Sequence, residues 1–171
     1  MAKALTAALT VKWESVHANT LLENTPSDAL STTAQLAFTP GTGVGQVDLV
    51  LHSRQVINAA TELHVDLKDA ATVDQFGAAI SFVKVKAFVV RNLSTVGGTN
   101  KTLQVGGNAL ALVGWVIAAA NEINIPPNGV FAIGSDTGFG VVGAGASDIL
   151  DINNGGAGTC EVEYWIIGTS A

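Results

Sequence analysis

Apolar and polar residues alternate along several short runs of the chain, and this alternation most constrains its fold. Side chains of a strand point to opposite faces with a period of two residues, so each run predicts a strand with one buried face. The clearest runs are residues 7–13, 47–51, 63–67 and 162–166. Residues 87–90, AFVV, are apolar throughout, which predicts a central strand that is buried on both faces.

Glycine-rich and polar segments separate these runs: PGTG at residues 40–43, GGTN at 97–100 and NNGG at 153–156. Short strands with turns about every 8–12 residues are typical of sandwiches and jelly rolls. We therefore predict an all-β fold, an antiparallel β-sandwich that is jelly-roll-like, with little helix beyond a short turn within residues 73–83. Residues 1–35 are predicted to form an N-terminal strand or arm with a polar connection, and residues 36–171 the sandwich domain.

Charged residues are scarce, since they make up 13% of the 171 residues, against about 25% in soluble domains. A domain of this size has more surface than so few charges cover, so we expect part of it to be buried against other protein chains. The net charge is −6 and the eight lysines and arginines are scattered. This pattern argues against nucleic-acid binding and against a basic patch for anionic membranes.

Motifs for cofactor binding or catalysis are weak. Gly138, Gly140 and Gly143 match the spacing G-x-G-x-x-G, but no helix pattern follows, as dinucleotide binding requires. Glu161 and Glu163 share one face of a predicted strand, where two acids are usually solvated. Cys160 is expected to be a small, half-buried apolar residue. We predict no catalytic residue and no cofactor, and expect that the protein is not an enzyme.

Candidate metal ligands are dispersed in the sequence. The three histidines would bind a metal only if the fold brought them together: His17, His52 and His64. A calcium site at Asp136, Asp148 and Asp151 would lack the dense spacing of a calcium-binding loop. We therefore predict no metal site.

Residues 109–120, ALALVGWVIAAA, form an apolar segment that a buried helix, a buried strand and an interface loop would all fit. We favour a subunit interface over ordinary core, because aromatic and apolar residues are enriched at the centre of interfaces. The candidate interface residues are Leu110, Leu112, Trp115, Val116 and Ile117.

The stretch INIPPNGVF, residues 123–131, predicts a tight reversal between two strands. Proline has no N–H for a strand ladder, so pairing should end at Pro126. Asn128 and Gly129 supply residues that tolerate positive φ in a turn. The candidate turn residues are Pro126, Pro127, Asn128 and Gly129, and we expect a bend here and not the floor of a binding site.

The order of five segments is distinctive: FVKVKAFVVRNLS (82–94), KTLQVGG (101–107), INIPPNGVFAIGSDTGFGVV (123–142), DILDINNGGAG (148–158) and CEVEYWIIG (160–168). This order resembles the small jelly-roll virion proteins of tailed bacteriophages, of the decoration, head-fibre and tail-fibre types. Their typical turn has glycine where this chain has Asn128, and asparagine also tolerates positive φ. The resemblance covers roughly residues 80–168.

The resemblance implies a structural virion protein, made in the cytoplasm of a bacterial host and located in the virion. We expect a capsid decoration or stabilising (cement) protein, which acts by burying symmetric interfaces on the shell. Its expected partners are further copies of itself, most often as a homotrimer, and the major capsid protein or another virion protein. The alternative is a tail-fibre or glycan-binding module, with stacking platforms at Trp13, Trp115 and Trp165.

Overall fold

The computed structural model describes residues 5–18, 27–68, 72–74, 77–95, 101–107, 112, 114–115, 121–141 and 148–171. Among these residues there are eleven strands and no helix. In chain order they are β1 (Ala7–Ala18), β2 (Ser27–Pro40), β3 (Gln46–Val47), β4 (Leu49–Ile57), β5 (Thr61–Asp66), β6 (Lys84–Asn92), β7 (Leu103–Gly106), β8 (Glu122–Ile125), β9 (Val130–Val141), β10 (Ile149–Asn154) and β11 (Cys160–Thr169).

Eight of these strands form two antiparallel sheets of four. Sheet I has the order β4-β11-β6-β9, and sheet II has the order β5-β10-β7-β8. From β4 to β11 the chain crosses between the sheets at every connection except the one from β7 to β8. Such interlocked Greek keys define a jelly roll. The prediction of an antiparallel, jelly-roll-like β-sandwich is confirmed.

The strand patterns read from the sequence explain which side chains fill the core. Along β11 buried and partly exposed residues alternate from Cys160 to Ile166, because every second side chain points between the sheets. β6 pairs with β11 on one side and β9 on the other, and Phe88 and Val90 in it are buried. Residues 87–90 thus lie in a central strand, as predicted, but burial on both faces is only partial, because Ala87, Phe88 and Val90 are buried whereas Val89 is half-buried. In the described part of residues 73–83, by contrast, Val73 and Ala79 form an isolated bridge and not the expected helical turn.

The buried side chain of Asn154 links the end of β10 in sheet II to the end of β4 in sheet I. The side-chain amide of Asn154 donates hydrogen bonds to the carbonyl oxygens of Ile57, Asn58 and Gly158, at 3.1, 2.9 and 2.8 Å. Its Oδ1 accepts the N–H of Gly156 at 3.1 Å. A buried polar side chain is tolerated only when its groups are paired in this way.

The first two strands form a long hairpin outside the sandwich. β1 and β2 pair without interruption from Ala7↔Phe38 to Ala18↔Ser27, so β2 crosses the predicted boundary between residues 35 and 36. The base of the hairpin packs on the outer face of sheet I, where Phe38, Val47 and Ala87 form a second, smaller core. A side chain at Gly134 would have its Cβ within 3.0 Å of Leu36 Cδ2, which shows how closely the hairpin approaches that sheet.

Candidate functional site

The hairpin of β1 and β2, here called the arm, has one apolar and one polar face. Residues directly opposite in the register point to the same side, so Val11 lies beside Ala34 and Trp13 beside Thr32. Ser15 lies opposite Leu30 on that same side. The other face carries polar groups, among them a 2.7 Å ion pair between Lys12 and Glu14.

The apolar face of the arm is covered at its base and exposed farther along. Leu9 and Leu36 pack against the small core on sheet I. Beyond them the exposed fractions of Val11, Trp13 and Leu30 are 53%, 66% and 56%. With about 3.3 Å per residue, the twelve residues of β1 extend about 40 Å. The arm therefore presents an exposed stripe in which Val11, Trp13 and Leu30 are the large apolar residues and Thr32 and Ser15 lie among them.

A groove of about 400 Å³ lies where the start of the arm meets the outer face of sheet I. Residues 5–9 form one wall, and sheet I contributes a largely apolar floor that includes Val50, Val89, Trp165 and Ile167. The indole of Trp165 stacks on the imidazole of His52 with ring centroids 4.7 Å apart and an angle of 5° between the planes. The arm stripe and this groove thus lie next to each other on one side of the molecule.

Of the candidate interface residues predicted from the sequence, the two that the structure describes do not belong to the arm or to this groove. Leu112 is buried in the core between the sheets, so its side chain offers no surface to another subunit. Trp115 is half-buried against that core, packs against Phe88 and Phe131, and donates its Nε1–H to the carbonyl oxygen of Leu112 at 2.7 Å. The remaining three lie outside the described residues: Leu110, Val116 and Ile117.

The candidate turn is found where the sequence predicts it, between β8 and β9. The N–H of Gly129 donates to the carbonyl oxygen of Pro126 at 2.8 Å, and Asn128 has a φ of 60°. Proline at the second position and positive φ at the third, here Pro127 and Asn128, are typical of a type II turn. The sequence led us to expect positive φ at Gly129 as well, but Gly129 does not have it. It is needed for space, since a Cβ there would lie 2.7 Å from the Pro126 oxygen.

Each of the two glutamates of β11 contacts a basic side chain on the neighbouring strand β4. Arg54 forms an ion pair with Glu161, and His52 Nε2 lies 3.1 Å from Glu163 Oε1. The hydrogen bond from Arg54 lowers the pKa of Glu161 below its usual range. These pairs are cross-strand contacts on a sheet surface, the usual arrangement of opposite charges in strands.

The other residues considered as motifs in the sequence lie within strands or in the core of the sandwich. Gly138 and Gly140 lie inside strand β9, and Cys160 is fully buried. Lys86 is buried where the pairing of β6 and β9 shifts register, and its Nζ donates to the carbonyl oxygen of Asp136 at 2.8 Å. Burial lowers the pKa of Lys86. Asp136 belongs to sheet I, whereas Asp151 belongs to β10 of sheet II.

One cluster is absent from the sequence-based candidates. Glu62 and His64 on β5 and Asp151 on β10 bring three possible metal-ligand atoms within 4.8 Å of one another. The signal in the sequence is the pair Glu62-x-His64, which the strand period places on one face. Its third member depends on the register between β5 and β10.

No family model, no curated protein and no solved structure matches this chain. In the described part of the chain, no helix has the length and apolar character that crossing a membrane requires.

Proposed function

We propose that the protein is a structural virion protein, a capsid decoration or stabilising protein, whose arm joins it to neighbouring subunits. The observation that carries the proposal is the exposed apolar stripe of the arm at Val11, Trp13 and Leu30. The resemblance of residues 80–168 to tailed-phage virion proteins supports the location in a virion, and the jelly-roll topology is the fold which that resemblance implies.

The physical argument starts from the stability of the arm. A two-stranded hairpin is only marginally stable in water unless its apolar face is packed against something. The base of this arm packs on sheet I, but Val11 and Trp13 lie beyond that contact and are exposed. Large apolar side chains exposed close together in this way are typical of an interaction site.

We assign the stripe to a second copy of the chain. The groove beside the arm has an apolar floor on sheet I, so arm and groove of different subunits are complementary in character. When each subunit donates an arm to the next, the contact is head-to-tail, and it forms a ring when the rotation between subunits closes. A trimer is the ring size that the resemblance implies.

Interface burial is then the mechanism of stabilisation. Fully burying a Val or Leu side chain stabilises an assembly by about 1.5–3 kcal/mol, from which ordering and association costs are subtracted. A protein that binds only the assembled shell shifts assembly by mass action, and symmetric copies repeat the effect at every contact.

The test is the molar mass of the full chain in size-exclusion chromatography with multi-angle light scattering. We expect an oligomer for the wild type and a folded monomer for Trp13→Glu. The matched control is Thr10→Glu, which places the same charge on the polar face of the same strand. A monomeric wild type, or equal dissociation by both variants, would overturn the assignment of the arm.

A glycan-binding module is the second candidate, because Trp13 is exposed and Trp165 lines the groove. Aromatic rings of this kind stack on apolar ligand faces. Co-sedimentation with capsid shells of a tailed phage, run in parallel with a glycan array, separates the two functions. Saturable shell binding without glycan binding supports decoration, and the reverse result supports the glycan-binding module.

A further inference from the structure

The outer face of sheet II brings together three side chains that no function above uses. Glu62 and His64 are two residues apart on β5 and therefore point to the same face. Asp151 on β10 is the direct cross-strand partner of His64. Because paired strands hold such neighbours in fixed register, the sheet itself positions the three groups.

The separations between donor atoms suit a single bound ion. His64 Nε2 lies 2.9 Å from Glu62 Oε2 and 3.3 Å from Asp151 Oδ1. Ligands at about 2.0–2.2 Å from one tetrahedral ion are about 3.3–3.6 Å from one another. The two separations from His64 thus lie within about half an ångström of that geometry, and the third, from Glu62 to Asp151, is at most 4.8 Å.

The chemistry of the cluster also favours a metal over a proton at its centre. An imidazole nitrogen carries at most one hydrogen, so His64 Nε2 can donate to only one of the two carboxylates that face it. A protonated histidine also supplies one positive charge against two negative ones, whereas a divalent cation supplies two. Asp151 is the buried member of the cluster, with a side chain that is 4% exposed.

We propose that Glu62, His64 and Asp151 form a binding site for a divalent transition-metal ion, with Zn²⁺ as the best match. One nitrogen and two oxygen donors suit zinc, whereas calcium and magnesium prefer oxygen donors alone. The side chains of His64 and Glu62 are 47% and 50% exposed, so water can occupy the fourth position. The ion would link β5, at the edge of sheet II, to β10.

The test is isothermal titration of the tag-free full chain with zinc chloride, after treatment with a chelator and dialysis. We expect one zinc ion per chain and a higher midpoint of thermal unfolding in its presence, since an ion that binds only the folded state stabilises it. His64→Gln and Glu62→Gln alter half-exposed side chains, and each should weaken zinc binding by more than about tenfold, because loss of even an outer-shell partner costs about 10–100-fold.

The matched control is His52→Gln. His52 also faces one glutamate, Glu163, at 3.1 Å, but it belongs to no group of three ligands among the described residues. This variant should bind zinc as the wild type does. Absence of saturable zinc binding to the wild type, unchanged binding in His64→Gln, or equal loss in His52→Gln would each overturn the proposal.

Discussion

Asn92 holds both ends of the turn that begins after Ile125. Its backbone N–H donates to the carbonyl oxygen of Gly129 at 2.9 Å, and its side-chain amide donates to the carbonyl oxygen of Ile125 at 3.0 Å. The same amide reaches the carbonyl oxygen of Lys101 at 2.7 Å. One residue of β6 in sheet I therefore fixes the chain where it leaves β8 of sheet II. Asn92 is fully buried, so a glycan on its amide would be incompatible with this fold, although residues 92–94 match the sequon.

Replacing Asn92 should cost far more stability than replacing an exposed asparagine. We expect Asn92→Ala to lower the free energy of unfolding by about 3 kcal/mol, because it leaves buried carbonyl groups without their donor. Asn124→Ala alters an exposed residue of β8 and should stay within about 0.5 kcal/mol of the wild type. Urea unfolding of both variants measures the difference, and similar values for the two would contradict the role of Asn92.

In the turn at residues 126–129, we expect substitutions at two adjacent positions to have opposite effects on stability. Asn128 has positive φ, which glycine adopts more easily, so Asn128→Gly should leave the midpoint of thermal unfolding unchanged or slightly higher. Gly129→Val places a Cβ 2.7 Å from the Pro126 oxygen and should cost about 2 kcal/mol through overpacking. Thermal unfolding of the two variants checks this order, and a tolerated valine would show that the turn adjusts freely.

Much of the fold could be predicted because its signals are local. The alternation in β11 and the run at residues 87–90 each give a strand without knowledge of any partner, and the turn at Asn128 is visible in four residues. β2 was harder to predict because its serines and threonines resemble a loop. Yet Leu30, Thr32 and Ala34 occupy every second position, opposite Ser15, Trp13 and Val11, and this weak alternation is the signal for β2.

The sites could be predicted only in part because they depend on pairing between distant strands. The exposure of Trp13 depends on how far the arm extends beyond sheet I, which no local pattern gives. Glu62 and His64 are recognisable as neighbours on one face, but Asp151 joins them only through the register of β10 with β5. A shift of one residue in that register would turn Asp151 to the other face of the sheet.

Labelling of Cys160 provides a test of how much the buried Asn154 contributes to stability. Cys160 is fully buried, and its Sγ lies 3.3 Å from Asn154 Oδ1. We expect Asn154→Ala to destabilise the fold by about 3 kcal/mol and to speed labelling of this thiol by roughly a hundredfold, since each 1.4 kcal/mol corresponds to about a factor of ten. Asn153→Ala changes the adjacent, partly exposed residue and should leave labelling slow. Fast labelling of the wild type would mean that the thiol is accessible without opening.

The single tyrosine of the chain makes its ionisation directly measurable. Burial raises the pKa of Tyr164 above its usual value near 10, and hydrogen bonds from Ser53 and Gln55 offset part of that effect. The phenolate is thus disfavoured in the folded state. The stability that this group contributes is fully present below the unfolded pKa and is lost as the pH rises through the folded pKa.

The phenolate absorption of the folded protein should therefore develop only above pH 10, and in urea at about pH 10. Tyr164→Phe should remove this part of the alkaline loss of stability, whereas a folded midpoint at or below 10 would show that the ring is solvated.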